Sequence, residues 1–371
     1  MQTRRQLLQE WDQQLRALLP GVRVTQVAVL ACLSLGLLWS GRVTLSAVAA
    51  SLPLPARDLS VVRRLRRWVA NPRVAVGRLW PALLAPLLAG WAGRDLLLVL
   101  DPTPLDDRLT LCLLGLVLHK RILPLAWHPL PMAERWPASL ATVLRHLTAA
   151  LQPALPPGAG VTLLADRGLT SAALIDRCRA LGWHFVLRVT ATARTSPIIR
   201  LADDTCCPLW SLVTGPGQRW SGTVACYQAA GWRTVELTIH WARGAREPWV
   251  LLSDRPAGPD RVREYRRRVR GEATYQDCKG RGWDLAHTKL TARARLNRLL
   301  LALFLALWWA ETLGLRVVRR GLRWRYDRSD RRDRSLVRLG RRWLADLHDH
   351  GRLPPLLFRW TPDGWLGPSC R

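Results

Sequence analysis

The sequence predicts an α/β protein that has an all-helical region before its α/β part and a β-rich insertion within it. Three observations support this prediction. Residues 1–94 place apolar side chains at helical spacing. From residue 95 onward, short apolar runs alternate with helical patterns, as in a sheet flanked by helices. Between residues 190 and 257 that alternation is replaced by strand-like runs separated by Pro/Gly turns.

Composition indicates which kinds of partner the protein can bind. The chain has 371 residues and 49% hydrophobic content, enough for two or three domains with their own cores. Its 56 Lys+Arg against 27 Asp+Glu give a net charge of +29 and a pI near 11.5. Basic side chains neutralise phosphates and release their counterions, so the charge predicts a polyanionic partner. Charge alone does not distinguish a nucleic acid from a ribosome or a membrane surface.

Cysteine spacing and apolar runs indicate the compartment. The eight cysteines form no Cys-x2-Cys pair and no Cys/His cluster at zinc spacing, so we expect reduced thiols in a cytoplasmic protein. The longest apolar runs, residues 27–39 and 299–310, are too short to span a bilayer and are expected to be buried helices. The first run follows acidic residues and lies too far into the chain for a signal peptide. We therefore expect neither export nor a membrane partner.

The N-terminal region, residues 1–94, is predicted to be a helical domain with a DNA-binding role. It contains an amphipathic segment at 6–19, an apolar one at 22–39 and a basic one at 59–68. The basic segment carries Arg63, Arg64, Arg66 and Arg67, which could position the protein on a duplex through phosphate contacts. A solvated helical face is an equally good interpretation, because charge runs usually lie at the surface.

Two acids follow buried strands in the next part of the chain. The segments 95–101 and 161–166 are mostly apolar and end on Asp101 and Asp166, and Arg167-Gly168 follows the second. The other predicted elements of this part are strands at 109–119, 122–128 and 183–189 and helices at 137–152 and 172–181. The pattern delivers a carboxylate at the end of each of two strands.

The β-rich insertion and the C-terminal part complete the pattern. Strands are predicted at 220–228, 233–242 and 249–254, and a long apolar helix at 290–313. The insertion also holds Trp210, Trp220, Trp232 and Trp241; most are expected to pack in the sheet, although one or two could stack on an unpaired base. Residues 316–371 are predicted to be a basic tail that contacts DNA or a partner, or only aids solubility.

A third acid stands in a basic frame after the insertion. The spacing is Tyr265-x2-Arg268-x3-Glu272-x6-Lys279, and lysine is scarce here, occurring only three times in the chain. At about 100° per residue, these four residues would share an arc of about 60° on one continuous helix. Glu264 is close to the same face and remains an alternative acid, while Asp277 falls on the opposite face. An arginine-rich solvated helix is the structural alternative.

These residues resemble the signature of the IS4-type DDE transposases, enzymes of bacterial insertion sequences. The resemblance rests on Asp101, Asp166-Arg-Gly168 and the spacing from Tyr265 to Lys279. It implies a ribonuclease H-like catalytic core over residues 95–315, with the first and fourth strands side by side and the β-rich insertion at 190–257. Asp101 and Asp166 would then lie at the same edge of the sheet.

The resemblance also implies a chemistry. Asp101, Asp166 and Glu272 would be the catalytic residues and the metal ligands, and Tyr265, Arg268 and Lys279 would contact DNA. Carboxylates suit Mg²⁺ or Mn²⁺, and two such ions are the usual provision for phosphodiester cleavage and transfer.

The implied partners are double-stranded DNA, namely the terminal inverted repeats of the element and its target, and a second copy in a homodimeric synaptic complex. Two other functions fit the same sequence: a catalytically inactive DNA-binding protein derived from a transposase, and a nuclease on the same fold. A dinucleotide fingerprint and a phosphate-binding loop are both missing from the sequence.

Overall fold

The computed structural model describes residues 2–105, 109–118, 121–131, 136–192, 196–270, 276–278, 282–285, 288, 290 and 292–359. The N-terminal region is helical as predicted. Its helices are α1 (Gln2–Leu18), α2 (Val24–Ser40), α3 (Leu45–Ser51), α4 (Asp58–Ala70) and α5 (Val76–Leu88). Helical spacing explains what they bury: α1 buries Leu7, Trp11 and Leu15, and α4 buries Val61, Leu65 and Trp68.

A mixed sheet forms the centre of the molecule and confirms the α/β prediction. Within the described residues it has ten strands: β1 (Asp95–Pro104), β2 (Leu109–Leu118), β3 (Arg121–Pro131), β4 (Gly160–Ala165), β5 (His184–Val189), β6 (Ile198–Arg200), β7 (Cys206–Pro208), β8 (Arg219–Cys226), β9 (Arg233–His240) and β10 (Trp249–Ser253). Their order is β3-β2-β1-β4-β5-β10-β9-β8-β6-β7. Helices α6 (Trp136–Leu151) and α7 (Ala172–Ala180) provide the crossovers into β4 and β5.

The first five strands give the order 3-2-1-4-5, which agrees with the ribonuclease H-like resemblance. Strand β1 pairs antiparallel with β2 and parallel with β4, and β4 pairs parallel with β5. The insertion is rich in strands, as the Pro/Gly turns predict. Its strands extend the same sheet, because β10 pairs antiparallel with β5 and β9 pairs with β10.

The segment that carries the spaced signature is not one continuous helix, which corrects the prediction. Helix α8 (Pro259–Arg266) ends one residue after Tyr265, and a tighter 3-10 turn (Arg267–Arg270) follows it. The run contains arginines at i,i+3 and i,i+4 spacing, so like charges oppose continuation of the α-helix. Glu272 and Lys279 lie outside the described residues.

The longest helix, α9 (Arg293–Arg319), is buried along most of its 27 residues. It packs against α2, α4, α5 and β3. Trp308 Nε1 donates a hydrogen bond to Pro124 O of β3 at 2.9 Å, and Trp309 Nε1 donates to Pro355 O at 3.0 Å. The predicted burial of the apolar runs 27–39 and 299–310 is confirmed.

Helix α9 and the bent pair of α2 and α3, whose axes differ by 92°, are each apolar and long enough to cross a membrane. In α9, 89% of the apolar window is buried inside the protein, as in the core helix of a globular fold.

The arginine-rich C-terminal part folds back onto α9. After the short helix α10 (Arg323–Tyr326), α11 (Leu336–Asp349) buries Val337, Leu339, Trp343 and Leu344. Two glycines let the helices approach closely: a Cβ at Gly314 would overlap Leu336 O, and one at Gly340 would overlap Ala310 O. The predicted boundary at residue 315 lies inside α9, and the division into domains stays a prediction.

Candidate active site

Asp101 and Asp166 lie side by side at one edge of the sheet. Strands β1 and β4 run parallel, and Leu100 pairs with Ala165, so the next residue of each chain segment is one of the two acids. Their side chains are 24% and 31% exposed. Asp166 follows the last residue of β4, whereas β1 continues past Asp101 to Pro104. The two carboxylates can therefore act on one substrate atom or one cation.

Arg268 joins the two acids. Its Nη2 lies 2.5 Å from Asp166 Oδ2 and 3.5 Å from Asp101 Oδ1, and its side chain is 18% exposed. Tyr265 Oη donates a hydrogen bond to Asp166 Oδ1 at 3.1 Å. The edge of the Tyr265 ring packs against Trp249, with the ring centroids 5.3 Å apart. Tyr265 and Arg268 thus converge on Asp166 although the α-helix ends between them.

Sequence reasoning missed a second group of charges behind Asp166. Arg188 Nη1 lies 3.9 Å from Asp166 Oδ1, and Arg188 Nη2 lies 2.6 Å from Glu247 Oε1. Arg167 Nη1 also lies 3.0 Å from Glu247 Oε2. An arginine inside the otherwise apolar strand β5 is a signal that could have identified Arg188. Glu247 lies in a turn between β9 and β10, and its sequence context gives no signal.

The local charges set the ionisation of the site. Burial alone would raise the pKa of Asp166, but the Arg167 backbone N–H at 2.8 Å, Arg268, Tyr265 and Arg188 together hold that pKa below its usual range. Burial, aided by the Asp166 carboxylate, raises the pKa of Tyr265. At neutral pH the site therefore presents an ionised Asp166, a cationic Arg268 and a protonated Tyr265.

The oxygen atoms available at this site are of the type that binds divalent cations. Asp101 and Asp166 offer carboxylate oxygens, the ligands that Mg²⁺ and Mn²⁺ prefer. Within the part of the chain that the structure describes, no group of three His, Cys, Asp or Glu residues is placed to hold a metal ion. The role of Asp101, Asp166 and Glu272 as metal ligands stays a prediction.

The two alternative acids have other surroundings. Glu264 Oε1 lies 2.9 Å from Arg255 Nη2, and Glu264 Oε2 lies 3.3 Å from Arg261 Nε. Asp277 is buried and interacts electrostatically with Glu311 of α9, which is also buried. Glu264 is therefore held in an ion-pair network of its own.

A basic concave surface lies at the N-terminal end of α9. Arg66 and Arg67 of α4, together with Arg295, line a cavity of about 660 Å³ that has an apolar floor including Val69 and Leu299. The four arginines of α4 are exposed, as expected for phosphate contacts or for a solvated face. DNA binding by this surface stays a prediction.

The site and the basic surface lie toward the same end of the molecule. Along the sheet, Asp101 pairs with Leu113, and Leu113 pairs with Trp127 of β3. Trp127 packs edge-on against Phe304 of α9, with the ring centroids 4.8 Å apart. Trp308, further along α9, contacts Pro124 nearer the start of β3, so the residues of α9 before Phe304 extend beyond the level of Asp101, toward Arg295.

Part of the chain matches a known protein family. Residues 139–309 match the family model for the transposase DDE domain. This range includes Asp166 and the segment from Tyr265 to Lys279, but it starts after Asp101 and spans less than half of the chain. No curated protein matches the chain. The matched part is similar to the catalytic domain of DDE transposases, which supports transposase activity in general.

Proposed function

We propose that this chain is an IS4-type DDE transposase that binds the ends of an insertion sequence and catalyses metal-dependent cleavage and strand transfer of DNA. The observation that carries the proposal is the pairing of Asp101 with Asp166 at the edge of two parallel strands, beneath Arg268 and Tyr265. Two adjacent carboxylates in a basic frame suit a reaction on phosphodiesters, because the frame attracts the phosphate and the carboxylates attract a cation.

Asp101 and Asp166 would hold the divalent ions, with Glu272 as the third ligand. When bound, two such ions would activate the attacking oxygen and stabilise the leaving oxygen. The low pKa of Asp166 keeps this ligand ionised at neutral pH. The raised pKa of Tyr265 makes it a hydrogen-bond donor rather than a base. Arg268 reaches both acids and would contact the scissile phosphate, with Lys279 as a further phosphate contact.

The partner in this proposal is double-stranded DNA, first the terminal inverted repeats and then the target. The net charge of +29 and the exposed arginines of α4 support such a partner. Joining two ends requires a homodimer in the synaptic complex. The protein would act in the bacterial cytoplasm, associated with the nucleoid when it is bound to DNA.

The experiment that tests the proposal compares Asp101→Asn, Asp166→Asn and Glu272→Gln with the wild type. Each variant should lose Mg²⁺-dependent cleavage of element-end DNA by about a thousandfold or more, because a neutral side chain is a poor ligand for a hard cation. Each should still bind the same DNA in a mobility-shift assay. Glu264→Gln is the matched control and should cleave normally, since Glu264 pairs with Arg255 and Arg261.

The outcomes separate the three candidate functions. Normal cleavage by any one variant would remove that residue from the site. Binding without cleavage by the wild type, in Mg²⁺ or Mn²⁺, would favour the inactive DNA-binding protein. Cleavage without joining of paired ends to a target would favour the nuclease.

A further inference from the structure

An exposed tryptophan stands beside a cavity at the C-terminal end of α9. Trp324 is 73% exposed, and Val318, at the end of α9, is 38% exposed. Both line a cavity of about 330 Å³, whose other walls include Arg328 and Arg332. We call these four residues the Trp324 surface. It combines one planar aromatic side chain, one apolar side chain and two guanidinium groups.

The segment that carries Trp324 is held firmly by its neighbours. Arg323 donates to the buried Asp327 carboxylate, with Nε 2.9 Å from Oδ2, and its Nη2 donates to Arg332 O at 2.9 Å. On the other side of Trp324, Arg325 Nη2 and Tyr326 Oη both donate to Asp346 of α11 at 2.7 Å. Trp324 therefore projects from a preorganised segment.

Two further observations indicate that this conformation serves a ligand. The Arg332 backbone has φ of +45°, in the left-handed region that costs energy for a side chain such as arginine. Leaving an indole in water also forgoes the free energy that its burial would contribute. Large exposed aromatics on fixed segments are typical anchors of binding surfaces.

Charge identifies the kind of ligand. Residues 316–334 contain nine arginines and three aspartates. Asp327 is buried in ion pairs with Arg323 and Arg334, and Asp330 pairs with Arg328 at 2.9 Å. The outward field of this surface is positive, which disfavours a basic protein face as its partner. A polyanion is attracted instead.

The exposed aromatic side chain indicates which kind of polyanion fits this surface. Bases that are not paired stack on aromatic side chains, whereas bases inside a duplex are already stacked on one another. Arginine beside the ring adds contacts to phosphates and cation–π interactions with bases. An indole that is mostly exposed and flanked by arginines is therefore better suited to unpaired nucleic acid than to a duplex.

The Trp324 surface lies away from Asp101 and Asp166. Phe304 of α9 lies at the level of Asp101, through Trp127 of β3. Further along α9, Glu311 approaches Arg121, which starts β3 at the opposite end of the sheet. At 1.5 Å per helical residue, Val318 is roughly 20 Å beyond Phe304, away from the acids. A ligand on this surface would not occupy the candidate active site.

We propose that the Trp324 surface is a second nucleic-acid site, which binds an unpaired segment by stacking a base on Trp324 and holding its phosphates with Arg328 and Arg332. The inference goes beyond the proposed function because it requires neither the carboxylates nor a metal ion. Its failure is therefore distinguishable from a failure of the catalytic proposal.

The test measures binding of a fluorescent oligo(dT) to the full chain in EDTA. Trp324→Ala should weaken binding about tenfold, the scale of one lost base–aromatic stack, while Trp324→Phe should bind within about threefold of the wild type. Arg328→Ala/Arg332→Ala should reduce the slope of log K against log salt by about 1.4, as expected for two phosphate contacts on a single strand. Arg145→Ala, an exposed arginine on α6, is the charge control and should have a smaller effect than either variant.

A crosslinking experiment locates the contact directly. An oligonucleotide that contains 5-iodouracil should label Trp324 on irradiation, as identified by peptide mass spectrometry. Because Trp324 is exposed, Trp324→Ala should melt at the wild-type temperature, which separates lost binding from lost folding.

Three results would overturn the proposal. The first is wild-type affinity for oligo(dT) in Trp324→Ala, with crosslinks elsewhere on the chain. The second is an equal loss of affinity for a blunt duplex in Trp324→Ala, which would show that the surface does not select unpaired bases. The third is a change in molecular mass by light scattering that depends on Trp324 but not on DNA, which would identify the surface as a protein interface.

Discussion

Arg268 is the residue whose position most affects the candidate site. Its guanidinium contacts Asp166 and reaches Asp101, so it stands where a cation would interact with the same carboxylates. Two cations compete for the same negative charge. The guanidinium therefore stabilises the acids in the absence of metal and opposes the binding of metal.

Removing that guanidinium should change metal affinity and catalysis in opposite directions. We expect Arg268→Ala to bind Mn²⁺ more tightly, on the order of tenfold, because a competing positive charge is gone. Cleavage should nevertheless fall, since a phosphate contact is lost. Isothermal titration of Mn²⁺ without DNA measures the first effect, and Arg268→Lys is the charge-conserving control. Unchanged or weaker Mn²⁺ binding in Arg268→Ala would contradict this account.

Glu311 gives a prediction for pH. It is fully buried in α9 near Arg121 and Asp277, and burial raises its pKa from 4.5 to about 8. Between these two values the folded chain holds a proton that the unfolded chain has released. The folded state therefore binds more protons, and its stability falls as pH rises through that window.

Glu311→Gln should remove this dependence. The variant should gain about 3–4 kcal/mol of stability relative to the wild type as pH rises from about 5 to 8, which raises its relative melting temperature by a few degrees. Melting curves of both proteins across this range provide the measurement. Asp349→Asn, an exposed change on α11, serves as the control. A constant difference at every pH would show that Glu311 does not titrate in this window.

At the scale of elements, α4 presents the basic surface nearest the N-terminal end of α9. Arg66 and Arg67 line the cavity there and are exposed. We expect Arg66→Ala/Arg67→Ala to weaken duplex binding and to reduce the slope of log K against log salt by about 1.8, for two contacts on B-DNA. Fluorescence anisotropy at several salt concentrations measures both quantities. An unaltered slope would show that this face of α4 is only solvated.

The contact between α9 and α11 depends on glycine. A Cβ at Gly340 would overlap Ala310 O, so Gly340→Ala should destabilise the protein by about 1–3 kcal/mol through forced separation of the helices. Gly77 in α5 has open space around it, and Gly77→Ala should be neutral or slightly stabilising. Urea unfolding compares the two variants. Equal stability of Gly340→Ala and the wild type would mean that the helices can part without cost.

Particular elements show what the sequence could predict. Strands β1 and β4 were recognisable because mostly apolar segments ended on acids, and this local pattern survives in the fold. The end of α8 at Arg266 could not be predicted, because the spacing from Tyr265 to Lys279 also fits one continuous helix. Arg188 and Glu247 meet only through the pairing of β5, β10 and β9, and such long-range pairing leaves no trace in local spacing.

The C-terminal part shows the same limit. Its arginines suggested a tail, yet the apolar positions of α11 and the paired glycines build a helix into the core. Composition masked the periodicity of Val337, Leu339, Trp343 and Leu344. The position of α11 follows from its packing against α9, which composition does not reveal.

At the scale of the whole molecule, charge and topology serve one function in this account. The larger of the two hydrophobic clusters in the described residues extends from Leu7 to Leu357, and the smaller one includes Val99, Leu164 and Tyr265. The helices and the sheet therefore position the two acids together. The excess of positive charge would attract the proposed DNA partner. We propose that DNA held by this charge is cut and joined at Asp101 and Asp166.

A paired-end strand-transfer assay tests that claim most directly. Wild-type protein, a DNA carrying two element ends, a supercoiled target and Mg²⁺ should yield joined products, and Asp101→Asn should yield none while it still binds the ends. Joined products from Asp101→Asn at the wild-type rate would contradict the account.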